Sequence, residues 1–216
     1  MTSAKSRRSF VSAMGAAAGL AAVSGAQRAD AAQATLPTVA PFDMAWLDTM
    51  KGAHKQVYDL GGHNLEADPA PLRFPRNFLD TFRDTFKLEF PNINTAVGIS
   101  GPAFPMNASD RLWAKYKLGE RSKIIDPMTR QPAVRNVFLD GPDIGIKAMQ
   151  ARGTVFWQCN VALTVVAGQL ANAFQMPLDE VRADLIAGLN PGVKLMPSHV
   201  LALALAQERG FTYMKP

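Results

Sequence analysis

Short β-prone runs alternate with apolar-striped helices along most of this chain, and that alternation restricts the fold more than any other feature. The clearest cycle lies in the last third. Thr154-Val155-Phe156-Trp157-Gln158 is a β-prone run, and the helix after it carries Leu163, Val166, Leu170 and Phe174 on one stripe, with Asn160 placed to cap it. A second helix follows Pro177 and turns Leu178, Val181 and Leu185 inward. Val193-Lys194-Leu195-Met196 is the next strand. Ser198 caps a helix running to Gly210, and Phe211-Thr212-Tyr213-Met214 forms a short final strand. Strands separated by helices require crossover connections, which produce a mostly parallel sheet covered on both faces. The expected architecture is a three-layer α/β/α domain with a sheet of about five strands.

The earlier part fits the same scheme. Phe42 to Met50 reads as a short helix, and Lys55 to Leu60 as a first strand ended by Gly61-Gly62. Pro75 opens an amphipathic helix in which Phe78, Phe82 and Phe86 recur every four residues, a spacing that predicts core packing. Thr95-Ala96-Val97-Gly98-Ile99 reads as a buried parallel strand stopping at Ser100-Gly101-Pro102. Ser109 can cap a helix with Leu112, Trp113 and Tyr116 on one side that stops at Gly119. The turn formers Asp126-Pro127, Gln131-Pro132 and Gly141-Pro142 follow, so 102–142 reads as a long loop of the kind that serves as a lid, binding loop or interface. A helix from Asp143 to Arg152, closed by Gly153, leads into the last third.

The first 34 residues have another purpose. Ser6-Arg7-Arg8-Ser9-Phe10-Val11, with paired arginines Arg7 and Arg8 and then Phe10, matches the address read by the twin-arginine export machinery. A soft apolar run from Val11 to Val23 follows, too short and too weakly apolar for a stable membrane span, and Ala32-Gln33-Ala34 offers a cleavage site after Ala34. The expectation is a signal peptide at 1–34 and a single exported domain at 35–216, working in the periplasm without a membrane span. The whole chain carries +5; Lys5, Arg7, Arg8 and Arg28 against Asp30 account for three of those charges, leaving +2 on the remainder. With Lys and Arg scattered singly over it, that part has no footprint for nucleic acid.

Cys159 is the only cysteine, so no intramolecular disulfide staples the domain, and neither C-x-x-C nor a haem attachment site exists. His54, His63 and His199 lie far apart and show no metal-site spacing. No P-loop, G-x-G-x-x-G or nucleophile elbow occurs, and no cofactor is assigned. In open α/β sheets the site lies beyond the carboxyl ends of the strands. Cys159 falls there, between strand 154–158 and the helix of 160–174, where the first-turn N–H groups favour a negative sulfur. It is either a nucleophile or a small buried apolar residue. Lys147, Arg152 and Arg135 are the candidate positive charges near it, and His199 is a candidate for the same crevice.

The stretch from Gln150 to Leu163, with its helix ending in Gly153, apolar strand, Cys159 and following Asn-x-Ala helix start, resembles the DsrE/DsrF-like family. Val193-Lys194-Leu195-Met196-Pro197-Ser198 and the tail Gly210-Phe211-Thr212-Tyr213-Met214-Lys215-Pro216 are similar to it too, and the strand at 95–101 matches more loosely. The resemblance implies a three-layer domain that assembles into homo-oligomers. Its sulfur-relay branch further implies that Cys159 carries a persulfide between donor and acceptor proteins. Two departures stand out: Ser100-Gly101 replaces a His-Gly pair common in the family, and the 102–142 segment, including Trp113 to Glu120, is longer than usual. The leading expectation is therefore a sulfur carrier or thiol redox protein. Its rival is a non-catalytic oligomeric binding module with a buried cysteine and a gripping 102–142 loop. The export route alone would also suit a cofactor carrier.

Overall fold

The computed structural model describes residues 41–141 and 143–216. Arg7, Arg8, Phe10 and Ala34, on which the export reading rests, lie outside them. In chain order the elements are α1 (Trp46–Thr49), β1 (His54–Leu60), α2 (Arg73–Thr81) running into a π-helical turn (Phe82–Phe86), β2 (Ile93–Ile99), a 3₁₀ helix (Gly101–Asn107), α3 (Asp110–Tyr116), α4 (Leu118–Arg121) and α5 (Ile146–Ala151). Then come β3 (Val155–Cys159), α6 (Asn160–Phe174), α7 (Leu178–Ala187), β4 (Lys194–Met196), α8 (His199–Glu208) and β5 (Thr212–Met214). The five strands lie in the order β4-β3-β2-β1-β5, and every pairing is parallel. This is the three-layer α/β/α fold expected. Among the described residues no helix is long and apolar enough to cross a membrane.

Two apolar layers sandwich the sheet. Tyr58, Val97, Ile99 and Phe156 face a large core shared with α2, α3, α5, α6 and α7. Val57, Ala96, Trp157 and Met196 face a smaller one closed by α1 and α8. Residues of opposite parity along each strand thus enter opposite layers, as the pleat demands. β2 is buried at all seven positions, and it is the central strand.

Five expectations need correction. The 102–142 segment is no free loop. Phe104, Met106, Leu112, Trp113 and Tyr116 belong to the large core. Asn136, itself buried, donates to the carbonyls of Met106 (2.8 Å) and Ala108 (2.7 Å) and accepts the N–H of Phe138 at 2.9 Å. Turn-forming residues mark irregular backbone, but they do not reveal that the backbone is clamped. The helix after Ser109 ends at Tyr116, because Lys117 adopts left-handed backbone (φ 49°), and Ser109 makes no side-chain capping bond. Phe86 is 61% exposed, since the π-helical turn shifts the four-residue phase; Phe78 and Phe82 remain partly buried. Leu178 is exposed at the first position of α7, while Val181 and Leu185 are buried.

α3 and α7 are joined across the surface by Asp184. Its carboxylate accepts from Lys115 Nζ (2.8 Å), Tyr116 Oη (2.7 Å) and Arg111. Burial pushes its pKa up, but those three donors outweigh it and hold the group at about 2. A carboxyl held below its unfolded value of about 3.9 stabilises the fold above that pH and loses the contribution as pH falls through the folded value. Asp184→Asn is expected to cost about 1–2 kcal/mol at neutral pH, allowing for solvent screening of the partly exposed cations. Urea titrations of both proteins from neutral pH downward check this: the gap should narrow below about pH 4, and a constant gap would refute the linkage.

Candidate functional site

The connections leaving the sheet diverge between β3 and β4. β3 leaves the sheet into α6, which packs on the large core, whereas β4 leaves into α8 on the other face. Adjacent strands whose connections diverge to opposite faces open a gap beyond their carboxyl ends, the usual ligand position in such sheets. Cys159 and Met196 are register partners at that end, and Ser198 and His199 follow β4 immediately. The switch point is thus bordered by the starts of two helices, each with its own cap.

The cap of α6 is Cys159 itself, not Asn160 as the sequence suggests. Cys159 Sγ accepts the N–H of Ala162 at 3.4 Å, and the residue is 3% exposed. Asn160 is displaced from the role because its side-chain oxygen accepts from Arg182 Nη2 at 2.8 Å. Ser198 caps α8 as expected, accepting the N–H of Leu201 at 3.2 Å. The candidate cations do not reach the thiol. Arg152 stands at the amino end of β3, beyond α5, in a 2.8 Å ion pair with Asp80. Lys147 pairs with Asp140 at 2.8 Å. Arg135 lies on the wall of a separate pocket with Asp126.

His199 starts α8 after β4, but its ring lies at the carboxyl ends of β1 and β2, against Gly61 and Gly98, held by partners that no sequence motif announces. Its Nε2 meets Asp59 Oδ1 at 2.6 Å, and Tyr213 Oη donates to Asp59 Oδ2 at 2.7 Å. The N–H of Gly61 also donates to Asp59, at 2.7 Å. Burial raises the Asp59 pKa, but the bonds from His199, Tyr213 and Gly61 outweigh it and leave the carboxyl below its ordinary value. An ionised carboxylate only accepts, so Nε2 carries the proton in this pair. The imidazole packs against Trp157 (ring centroids 6.0 Å), which stacks on Trp46 at 5.7 Å. His63 instead bonds the carbonyl of Asp68 at 2.9 Å, and His54 packs on Phe82. Sequence reasoning missed Asp59 and Tyr213. The available signal was an acid with the inward parity of Val57 at a strand end, where a partner becomes necessary.

No family model matches the chain. No curated protein matches its sequence either. A solved protein of unknown function from Methanobacterium thermoautotrophicum is similar over 76% of this chain and 99% of its own length, at 15% identity and a TM-score of 0.37. A likeness at that level supports no inference about either protein's chemistry.

A cleft of about 440 Å³ opens on the α6 side of the same strand ends. Gly101 and Pro102, just after β2, form one wall, and Ala162, Val165 and Val166 of α6 form the other. Gly101 has φ +52°, a conformation that lets the chain turn from β2 directly into the 3₁₀ helix and that a side chain would strain. Cys159 is not part of the wall. Its sulfur lies one hydrogen bond behind it, through Ala162.

Proposed function

We propose that this protein is a periplasmic sulfur carrier in which Cys159 takes up and passes on a sulfane sulfur. The observation that carries the reading is the position of Cys159 Sγ, inside the first turn of α6 at a strand-end switch point. Unpaired first-turn N–H groups and the helix dipole favour negative charge there, which suits a sulfur that attacks and a persulfide that is held. In the transfer, the Cys159 sulfur attacks the outer sulfur of a donor persulfide, R–S–SH. The donor S–S bond breaks as a new one forms at Cys159. R–SH leaves with the proton, and no external oxidant is consumed. Delivery to an acceptor thiol is the same exchange in reverse. The resemblance to the DsrE/DsrF-like family and the paired arginines Arg7 and Arg8 support the relay and the compartment respectively.

One observation favours a second reading. Cys159 is buried, and its sulfur already serves as the cap of α6, so it can act as a structural residue of a binding module. The two readings separate in one experiment. Residues 35–216 are exposed briefly to polysulfide and weighed intact, with Cys159→Ser alongside. A relay protein gains whole sulfur atoms, loses them to reductant, and fails to gain them in the variant. If wild type gains nothing and its native thiol also resists alkylation, the carrier reading is wrong and the cap is all the cysteine provides.

A further inference from the structure

The cleft beside α6 has a chemistry of its own, independent of what Cys159 does. Its interior is apolar, with Phe104, Leu118, Val166 and Leu170 as the main surfaces. Polar groups stand only at Arg121, Ser122 and Gln169, and no carboxylate lines it. The volume suits a small molecule, because ligand clefts begin at about 300 Å³ and are mostly apolar with a few placed polar groups. Arg121 is the one formal charge on the wall. Of the nearby cations, Arg111 and Lys115 are paired with Asp184 and Lys123 with Glu66. Arg121 has no carboxylate partner among the described residues and stands 6.0 Å over the Phe174 ring. An unpaired guanidinium at the end of an uncharged apolar cleft selects both sign and shape, since its fork bonds a carboxylate or sulfonate through two donors.

We propose that this cleft binds a small organic anion: an apolar chain or ring lying along Phe104, Val166 and Leu170, with a carboxylate or sulfonate on Arg121. α6 contributes the long wall, and its sequence from Asn160 to Phe174 holds no charged residue that would repel an apolar body. Ser122 and Gln169 supply neutral hydrogen bonds at the rim, where the anion's remaining lone pairs would otherwise face water.

The test uses octanoate, octanol and octylammonium as probes, titrated calorimetrically into the protein. Octanoate should saturate a single site and bind at least about tenfold tighter than octanol, with octylammonium weakest. Arg121→Gln should remove that tenfold advantage while leaving octanol unchanged. Val165→Trp, at a position 57% exposed, should close the cleft to both probes without disturbing the core. Octanol binding as tightly as octanoate, or octanoate binding Arg121→Gln as it binds wild type, would overturn the charge assignment. Absence of saturable binding, or binding untouched by Val165→Trp, would overturn the site.

Discussion

Gly98→Val is expected to destabilise the fold by about 3–5 kcal/mol, a large part of what a domain of this size has. Gly98 lies near the carboxyl end of the central strand and faces the smaller core. A Cβ there would stand 2.6 Å from Trp157 Cε2 and 2.8 Å from His199 Cε1. Neither ring can retreat. Trp157 is fully buried and stacked on Trp46, and His199 is fixed by Asp59. A branched side chain must therefore push α8 off the sheet or bend β2. Gly168→Ala provides the contrast within the same protein. Gly168 lies inside α6, and a methyl group added there would meet nothing within 4 Å, so the change should stabilise by about 0.5–1 kcal/mol. Urea unfolding of the two variants decides the matter, and similar midpoints for both would mean that the Gly98 contact is not what fixes α8.

Asp59→Ala should have the next largest effect, about 2–4 kcal/mol, and a distinctive location. The carboxylate is the common acceptor for His199, Tyr213 and the Gly61 N–H. Removing it leaves a histidine side chain 11% exposed without its partner and frees the side chain at the centre of β5. Amide exchange at 212–214 should therefore accelerate more than the global loss of stability explains, because β5 is only three residues long and pairs with β1 alone. The wild-type carboxyl lies below its ordinary value, so its contribution is complete above about pH 4 and declines as pH falls through the folded value. Wild type and variant should converge in acid. Uniform exchange across the sheet, with β5 no faster than β2, would show that Asp59 is not the clasp.

The strands were legible because each is a short β-prone run ended by a turn or helix start: Leu60 before Gly61, Ile99 before Ser100-Gly101, Met196 before Pro197-Ser198. What failed to show depends on distant partners. Asn160 is the better cap by residue type, yet Arg182, from the next helix, takes its side chain and leaves the position to a sulfur. Phe86 follows a sound helical period that a π-turn breaks. Asp59 became a site residue only when His199 and Tyr213, more than a hundred residues away, came to it. Arg121 stands out only once the cleft wall is known, as its one charged residue, while Arg111 and Lys123 are seen to have found carboxylates. A position such as Cys159, at a strand end before a helix, is visible in sequence. Its burial is not.

The strand order sets a timetable for the chain. β1 obtains its outer neighbour from residues near the far end, with Gln56 opposite Thr212, a separation of 156 residues. During synthesis β1 is made first and waits longest, with one hydrogen-bonding edge open until residues 212–214 leave the ribosome. Contacts so distant in sequence make folding slow, and an unsatisfied strand edge is a template for intermolecular pairing. Loss of residues 212–214 would therefore shift the nascent protein toward aggregation well before it altered anything at Cys159.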